Sequence, residues 1–466
     1  MEMEKDKKFE IIALTFLLLF LLILFLILNW LSPLLLWDEN VYLGNARSHV
    51  SESNFTEDFR FPLLEWLIAL IWIRGESLFA AKIFIILLSI ATVFFTYLIS
   101  REYFTVKKAF LTTLCFALSP LVIFWGFRVY ADIPALFFTV VSFYCLLENE
   151  KSKSKKIGMV FIAFAGIMAA LAFLSRFPLA LFPLSAGIYS IFKKKYKVLL
   201  IFSVFFVLAL IPWLAYNQIH YQNPIWDLKE QYSVVEKWTL YEPIIKQIKN
   251  LFMSMGLFVI LLPLGIYSLL KKALENENRR PLALLILTYV ILSFVYYLCF
   301  VKLKDARYYF AFLPFLYLIA FDGFFWLKQR INKTVIKKTI SVFVILNALV
   351  LFVGTIYTFA KIIDYERNGA LIQSIDYLKE KNISSNSSIV SNVWPWYGYY
   401  FNAKVACLWS ENITELINLY DPDYIIYDNQ MGTYFNKTIL DTNNRLNLEK
   451  EIKDKYDHEI FIYNVS

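Results

Sequence analysis

The chain has 466 residues, of which 59% are hydrophobic and 18% are aromatic. This composition excludes a soluble protein of that size, because too few polar side chains remain to cover its surface. The net charge of +8 comes from short basic clusters between apolar runs, a pattern typical of membrane topology and not of nucleic-acid binding. Four scattered cysteines without a CxxC pair argue against a disulfide framework, and three distant histidines argue against a histidine-rich zinc site.

Apolar runs of span length recur along most of the chain. The first, residues 9–31, is too long for the core of a signal peptide and has no small-residue cleavage site, so we expect an uncleaved first span. The shorter runs could cross as half-buried or sharply turned helices. The sequence therefore predicts an α-helical polytopic membrane protein with about eleven spans. They lie at 9–31, 78–99, 109–127, 133–147, 157–174, 177–192, 198–217, 250–270, 281–301, 308–327 and 339–360.

Basic residues lie in every second loop between these runs. Because cytoplasmic loops carry an excess of Lys and Arg, these loops mark the cytoplasmic side, so we expect a cytoplasmic N-terminus and an extracytoplasmic tail. The composition, rich in Lys, Asn and Ile, suits an AT-rich prokaryote or archaeon, and we expect the chain in the plasma membrane of such a cell. The clusters include Lys7 and Lys8; Arg101, Lys107 and Lys108; Lys153, Lys155 and Lys156; Lys193, Lys194, Lys195 and Lys197; and Lys328, Arg330, Lys333, Lys337 and Lys338.

The tail, residues 361–466, is richer in Asn, Asp, Ser and Tyr than the rest of the chain. The segments ALIQSIDYLKEKN and ITELINLY predict helices, and SSIVSNV and DYIIYDN predict strands. Such an alternation is typical of a small α/β domain. We therefore expect a transmembrane domain at 1–360, with a long outer loop at 32–77, and an extracytoplasmic α/β domain at 361–466.

The string WDENVYLGNAR directly follows the first span and holds more polar groups than a membrane edge requires. A helix start would explain part of it, with Asp38 as the N-cap and Glu39 near the positive end of the helix dipole. On such a helix Tyr42 shares a face with both acids, since residues three and four apart are neighbours. The string is thus a candidate site as well as a candidate helix start.

Charged residues recur in the other predicted outer loops. Arg128 and Asp132 have the four-residue spacing of an interfacial ion pair. Lipid anchoring would explain Lys302 and Lys304, but Arg176 lies in a three-residue turn where a charge without a partner is costly. A bound anion such as a lipid-linked phosphate would account for the outer cations, since arginine binds phosphate oxygens bidentately. These cations include Arg47, Arg60, Arg128, Arg176, Lys302, Lys304 and Arg307.

The string Asp38-Glu39-x-x-Tyr42-x-x-x-Ala46-Arg47 closely resembles the first outer loop of GT-C glycosyltransferases that use polyprenyl-phosphate sugars. The most similar branches are the protein O-mannosyltransferases and the bacterial lipid A aminoarabinose transferases. The family often has Lys where this chain has Arg60 and Arg176. Over about residues 9–327, four further stretches resemble family motifs in the same order: Arg60 to Pro62 with Trp66, Tyr130-Ala131-Asp132-x-Pro134, Ser175-Arg176-x-Pro178, and Lys304-x-x-Arg307-Tyr308 with Pro314.

The resemblance implies a GT-C fold and an inverting transfer in which Asp38, in the catalytic outer loop, is the general base on an acceptor hydroxyl. Glu39 and Asp132 are the other implied catalytic residues, orienting the acceptor or the loop. No cofactor is required by this scheme, although nearby carboxylates could hold a divalent metal ion. The implied donor-phosphate residues are Arg60, Arg128, Arg176, Lys304 and Arg307, and the other implied substrate-binding residues are Tyr42, Arg47 and Tyr308.

Three functions are compatible with these features. The leading hypothesis is a membrane glycosyltransferase that works among membrane lipids, without nucleic acid. It would move a sugar from a polyprenyl (dolichyl or undecaprenyl) monophosphate to a hydroxyl on protein, lipid or glycan outside the cytoplasm. The alternative is a transporter or flippase of a lipid-linked anionic sugar, but transporters favour polar residues at the midplane, and here the spans are mostly clean apart from Lys82 and Asp322. An inactive scaffold that displays the tail would not explain the clustered acids and arginines.

Overall fold

The structure, a computed structural model, describes residues 2–57, 60–238, 242–275, 283–410, 412–430 and 437–466. The chain divides into two units. The helical unit consists of Met1–Ile27, Phe61–Leu64 and Lys82–Ile356, and the sheet unit consists of Leu28–Arg60, Glu65–Ala81 and Tyr357–Ser466. Most of the predicted outer loop 32–77 thus belongs to the same unit as the predicted domain 361–466.

Twenty α-helices are present in the described residues. In chain order they are α1 (Glu2–Leu31), α2 (Trp37–Ser48), α3 (Leu63–Trp72), α4 (Leu78–Tyr103), α5 (Val106–Ala117), α6 (Pro120–Trp125), α7 (Asp132–Lys151), α8 (Lys155–Ser175), α9 (Leu181–Phe192), α10 (Tyr196–Tyr221), α11 (Trp226–Trp238), α12 (Ile244–Met255), α13 (Leu262–Glu275), α14 (Ala283–Cys299), α15 (Leu313–Arg330), α16 (Thr334–Asn368), α17 (Ala370–Glu380), α18 (Trp394–Phe401), α19 (Ile413–Tyr420) and α20 (Thr438–Asp441). Short 3₁₀ helices lie at Phe177–Ala180, Gly256–Leu261 and Ala306–Phe312.

Among the described residues, eight helical segments are long and apolar enough to cross a membrane. The prediction of an α-helical polytopic chain is confirmed, whereas the count of eleven spans stays a prediction. Residues 281 and 282, at the start of one predicted span, lie outside the described residues. The eight segments are Asp6–Leu31, Leu78–Tyr103, Asp132–Lys151, Lys155–Ser175, Tyr196–Tyr221, Ile244–Leu274, Ala306–Arg330 and Thr334–Glu380, and shorter apolar helices lie at Leu63–Trp72, Phe177–Phe192 and Ala283–Cys299.

The predicted span at 109–127 is divided into α5 and α6. Pro120 is the first residue of α6, where its missing N–H costs nothing. The preceding residue, Ser119, is extended (φ −67°, ψ 149°), because a residue before proline is disfavoured in the α conformation. The helix therefore stops before Pro120 and restarts with it.

Two glycines bring α13 and α15 into close contact in the helical unit. A Cβ atom on Gly265 would overlap the carbonyl of Ile319, and a Cβ on Gly323 would overlap the backbone of α13 at Gly265. Beside this contact the Lys272 ammonium lies 2.9 and 2.8 Å from the two carboxylate oxygens of Asp322. Asp322, the acid that interrupts a predicted span, is buried and is balanced by this ion pair.

In its described residues the sheet unit contains five strands in the order β2-β1-β3-β5-β4. β1 pairs in parallel with β2 and β3, and β5 pairs antiparallel with β3 and β4. β1 and β3 are the strands that the sequence predicts, and the small α/β domain is present; β2, β4 and β5 are additional. The strands are β1 (Ser388–Ser391), β2 (Lys404–Cys407), β3 (Tyr424–Asp428), β4 (Leu446–Lys453) and β5 (Glu459–Val465).

Helices cover both faces of this sheet. Successive residues of a strand point to opposite faces, so Ile389 and Ile426 pack with α17 and α18, whereas Val390 and Ile425 pack with α19. Burial on both faces explains why adjacent central residues of each strand are apolar, namely Ile389 and Val390 in β1 and Ile425 and Ile426 in β3. β4 lies at the edge of the sheet and contains the charged residues Glu449, Lys450, Glu451 and Lys453, as expected for an edge strand exposed to solvent.

The predicted outer loop is fastened to the tail within the sheet unit. The Trp37 ring, at the start of α2, contacts the rings of Trp394 and Trp396 on α18, with centroids 4.8 and 5.4 Å apart. The Trp396 indole donates to the carbonyl of Leu35 at 2.8 Å. Gly398 lies so close to Phe55 that a Cβ would be 2.6 Å from its ring. The polar string after the first span is therefore part of a packed structure.

Candidate active site

Asp38, Glu57, Arg60 and Tyr42 form one cluster, which we call the carboxylate cluster, in the sheet unit. The Arg60 Nη2 lies 3.1 Å from the Asp38 carboxylate, and its Nε lies 2.9 Å from the Glu57 carboxylate. The guanidinium carbon lies 6.0 Å from the centroid of the Tyr42 ring, one turn after Asp38 on α2. Glu57, three residues before Arg60 in TEDFR, belongs to the site although it is not among the predicted site residues.

The two acids at the start of α2, Asp38 and Glu39, make different contacts. The helix begins at Trp37 and its N-cap is Leu36, so Asp38 is the second helical residue and not the N-cap. The backbone N–H of Leu36 donates to the Glu39 carboxylate at 2.9 Å, and the Glu39 side chain is buried. The cap is thus supplied by Glu39, while Asp38 contacts Arg60 and keeps a side chain that is 13% exposed.

Two carboxylates surround one guanidinium in this cluster. Burial lowers the pKa of Arg60, but Asp38 and Glu57 outweigh that effect and hold its pKa above the usual value. Arg60 therefore stays protonated and contacts both carboxylates with its positive charge. The trio retains one negative charge in excess, which suits the acceptance of a proton.

Asn45 and Arg47, also on α2, hold this part of the sheet unit together. The Asn45 amide donates to the Glu57 carbonyl at 2.9 Å and to the Glu65 carboxylate at 2.8 Å, and it accepts from the Glu57 N–H at 2.8 Å. Arg47 binds both oxygens of Glu76 at 2.7 and 2.8 Å, and it donates to the Tyr399 carbonyl at 2.9 Å. Asn45 thereby fixes the backbone of Glu57.

Asp132, Arg176, Arg307 and Tyr308 form a second cluster, which we call the arginine cluster, in the helical unit. Asp132 opens α7 and pairs with Arg176, at the end of α8. The Arg176 guanidinium carbon lies 5.4 Å from the centroid of the Tyr308 ring. Arg307 lies 3.2 Å from the Asp305 carboxylate, and its guanidinium carbon lies 5.7 Å from the centroid of the Tyr130 ring.

Burial and the neighbouring charge of Asp132 act in opposite directions on the pKa of Arg176. Burial lowers its pKa and the neighbouring positive charge of Arg307 acts in the same direction, but Asp132 outweighs both, so the pKa of Arg176 is raised. Two arginines close enough to interact electrostatically, together with aromatic rings, are an arrangement that suits a phosphate group, because arginine is weakly hydrated and binds phosphate through its planar fork.

A cavity of about 190 Å³ opens beside Arg176 in the helical unit. Its cations are Arg176 and Lys302, and the hydroxyl-bearing rings of Tyr232, Tyr296 and Tyr308 contribute to its wall. Among the described residues that line it, none is acidic. An anion with an apolar extension matches this lining in both charge and polarity.

Arg128 and Lys304, two of the predicted donor-phosphate residues, are both buried. The Arg128 guanidinium carbon lies 4.9 and 5.1 Å from the ring centroids of Phe124 and Phe127. The Lys304 ammonium donates to the carbonyls of Tyr297 and Leu298 at 3.1 and 3.0 Å, and also to that of Val301. Lys304 therefore satisfies carbonyls at the end of α14, and burial lowers its pKa.

The predicted site residues thus fall into two groups. Asp38, Glu39, Tyr42, Arg47 and Arg60 lie in the sheet unit, and Asp132, Arg128, Arg176, Lys304, Arg307 and Tyr308 lie in the helical unit. In the described part of the chain, no group of three or more His, Cys, Asp or Glu side chains is arranged to hold a metal ion.

Residues 60–216 match the sequence model of the family described as dolichyl-phosphate-mannose-protein mannosyltransferase. A crystal structure of ArnT from Cupriavidus metallidurans bound to undecaprenyl phosphate is similar with a TM-score of 0.70 and 12% identity, over 96% of this chain and 97% of that one. The Archaeoglobus fulgidus oligosaccharyltransferase AglB, in complex with an inhibitory peptide and a dolichol-phosphate, has a TM-score of 0.57 and 12% identity, over 91% of this chain and 70% of that one. The chain has the GT-C fold.

The resemblance to the GT-C superfamily that the motifs predict is confirmed, and so is the predicted GT-C fold class with its small sheet-containing tail. A comparison with curated protein sequences gives no significant match. At 12% identity the GT-C similarity to ArnT establishes the fold. The roles of individual residues rest on the two clusters described above.

Proposed function

We propose that the chain is an inverting membrane glycosyltransferase that moves a sugar from a polyprenyl monophosphate to a hydroxyl of a protein, lipid or glycan outside the cytoplasm. The observation that carries this function is the contact of Asp38 with Arg60, in a chain with the GT-C fold. Glu39 supplies the helix cap, so the Asp38 carboxylate contacts the positively charged Arg60 guanidinium and remains partly accessible. These are the properties required of a general base.

The donor class follows from charge and polarity. The cavity beside Arg176 combines two cations with aromatic walls, which suits a phosphate that is linked to an isoprenoid chain. The matched family is described by dolichyl-phosphate mannose, and the similar ArnT structure contains undecaprenyl phosphate. Both compounds are polyprenyl phosphates, so a sugar linked to a polyprenyl monophosphate is the donor class that we propose.

In the proposed reaction the acceptor oxygen forms a bond to the anomeric carbon while the bond from that carbon to the phosphate oxygen breaks. The proton of the acceptor hydroxyl passes to the Asp38 carboxylate, and the electron pair of the broken bond leaves with the phosphate. Arg176, Arg307 and Lys302 would stabilise the charge that accumulates there. Because phosphate is a competent leaving group, the scheme needs no general acid.

The decisive experiment is transfer from radiolabelled polyprenyl-phosphate sugars by the purified full-length chain. We expect Asp38→Asn to lower kcat by about 10²- to 10⁴-fold, the usual contribution of a general base, with donor KM nearly unchanged. Glu52→Gln, which removes an exposed acid of the same unit, should behave like wild type. Undiminished transfer by Asp38→Asn would disprove the assignment of the base. Movement of the labelled lipid between leaflets without transfer to any acceptor would instead indicate a flippase.

A further inference from the structure

A second cavity, of about 420 Å³, lies between α5, α15 and α16 in the helical unit, and no step of the proposed reaction uses it. The cavity lies at the C-terminal end of the apolar segment Ala306–Arg330, whereas Arg307 lies at its N-terminal end. About 20 residues of helix separate the two ends, on the order of 30 Å. The cavity therefore lies at the membrane side where the basic loops are, which the charge distribution predicts to be cytoplasmic.

Four lysines line this cavity. Lys107 on α5 is exposed and lies 3.8 Å from the Asp6 carboxylate, and the other three lysines come one from each helix. Lys108 on α5, Lys328 on α15 and Lys337 on α16 line it, and each is half-buried. The Lys108 ammonium lies 4.9 Å from the centroid of the Phe325 ring, and the Lys328 ammonium lies 5.9 Å from that of Phe324. Lys328 also donates to the Ser341 hydroxyl at 2.8 Å. The phenylalanine rings are buried and form an aromatic floor.

The usual excess of basic residues on the cytoplasmic side does not explain why Lys108, Lys328 and Lys337 lie around one cavity. Exposed residues such as Lys107, Lys333 and Lys338 already fulfil that rule. Within the described residues no carboxylate lies in salt-bridge distance of Lys108, Lys328 or Lys337, and none lines the cavity. Three like charges that share a partly desolvated space repel one another unless an anion is bound among them.

The surroundings favour a lipid as the source of that anion. Leu111 and Ile345 line the cavity beside the lysines. Ile345 is 50% exposed, and it continues into an apolar surface of α16 that includes Val342, Leu346 and Leu349, with exposures of 53%, 53% and 49%. A soluble phosphate would match only the lysines, whereas a phospholipid would match the lysines with its phosphate and the α16 surface with its acyl chains.

We propose that Lys108, Lys328 and Lys337 form a binding site for the phosphate headgroup of an anionic membrane phospholipid. The site is separate from the proposed transfer reaction and does not depend on it. Basic pockets between transmembrane helices on the cytoplasmic side are a recognised setting for such headgroups. The acyl chains would lie along α16 and contribute affinity that a headgroup alone lacks.

The test is a native mass spectrometry titration of the delipidated full-length protein with phosphatidylglycerol, phosphatidylcholine or inorganic phosphate. We expect phosphatidylglycerol to bind at least tenfold more tightly than phosphatidylcholine. The variant Lys108→Gln/Lys328→Gln/Lys337→Gln should bind phosphatidylglycerol on the order of 10- to 100-fold more weakly. The control Lys155→Gln/Lys156→Gln/Lys197→Gln, which removes three exposed lysines from the same predicted side, should stay within about twofold of wild type.

Several outcomes would overturn the assignment. Equal binding of phosphatidylglycerol by the cavity variant and the control variant would show that the three lysines form no site. Equal affinity for phosphatidylcholine would remove the role of charge, and inorganic phosphate that displaces the lipid at similar concentration would replace the lipid by a soluble anion. The single variant Lys337→Gln, at the start of α16, should keep the fold and still weaken phosphatidylglycerol binding about fivefold.

Discussion

The carboxylate cluster and the arginine cluster are built from the same residue types in opposite proportions. In the sheet unit Asp38 and Glu57 share Arg60, so acids outnumber the base. In the helical unit Arg176 pairs with Asp132 and feels the charge of Arg307, and the adjoining cavity offers Lys302 and no described acid. One cluster is suited to accept a proton and the other to hold a phosphate, although each contains an aspartate–arginine pair.

The strongest test of this difference compares the two aspartates. Asp38→Asn should lower kcat by about 10²- to 10⁴-fold, because a neutral amide cannot accept the proton. Asp132→Asn should mainly raise donor KM, by roughly tenfold, because Asp132 acts as a positioning residue for Arg176. Steady-state kinetics with a polyprenyl-phosphate sugar separates the two effects. A reversed pattern, with kcat lost in Asp132→Asn, would exchange the proposed roles of the clusters.

The two arginines should differ as well. Arg176→Lys retains the charge but loses the planar fork, so we expect donor KM to rise about 10- to 30-fold. Arg60→Lys should leave donor KM within about threefold, because Arg60 contacts carboxylates and not the cation-lined cavity. Its effect should appear in kcat, because a lysine ammonium lacks the planar fork that contacts Asp38 and Glu57 at the same time. Equal rises of donor KM in both variants would show that Arg60 also holds phosphate.

The two clusters also show which parts of the site a sequence can predict. Periodicity locates the spans and the strands β1 and β3, because a buried face needs an apolar pattern within a few residues. The ion-pair partner of a charged residue is not indicated by any pattern in the neighbouring sequence. Asp132 pairs with Arg176, 44 positions further along the chain. The four-residue spacing between Arg128 and Asp132 does not indicate this partner. Glu57 was missed because an acid in an acidic, Ser-rich loop looks like solvated surface until the fold buries it.

Local patterns also leave the role of a correctly selected residue open. DENVYLGNAR gives no means to distinguish Glu39, which caps α2, from Asp38, which contacts Arg60, because both acids suit a first helical turn. Lys304 fits a family motif, yet its ammonium is directed at carbonyls of α14. The joining of the outer loop with the tail likewise depends on contacts such as Trp37 with Trp396, more than 350 positions apart.

A smaller effect is expected from Asn45, which holds the backbone of Glu57 in the carboxylate cluster. Asn45→Ala removes bonds to both backbone groups of Glu57 and leaves them buried, so we expect a loss of about 1–3 kcal/mol in stability and a fall in kcat of several fold. Thermal unfolding and transfer assays measure the two changes. Asn386→Ala, at an exposed position, is the control. Unchanged kcat with reduced stability would make Asn45 a structural residue alone.

The smallest effects concern the aromatic rings beneath the arginines. Tyr308→Phe keeps the ring, whose centroid lies 5.4 Å from the Arg176 guanidinium carbon, so donor KM should change by less than about twofold. Tyr308→Leu removes a cation–π contact of roughly 0.5–1 kcal/mol, so it should raise donor KM about three- to fivefold. The same pair of substitutions at Tyr42, whose ring centroid lies 6.0 Å from Arg60, should leave donor KM unchanged. If Tyr42→Leu raised donor KM as much as Tyr308→Leu does, the carboxylate cluster would have to contact the donor as well, and the division of labour between the two clusters would no longer hold.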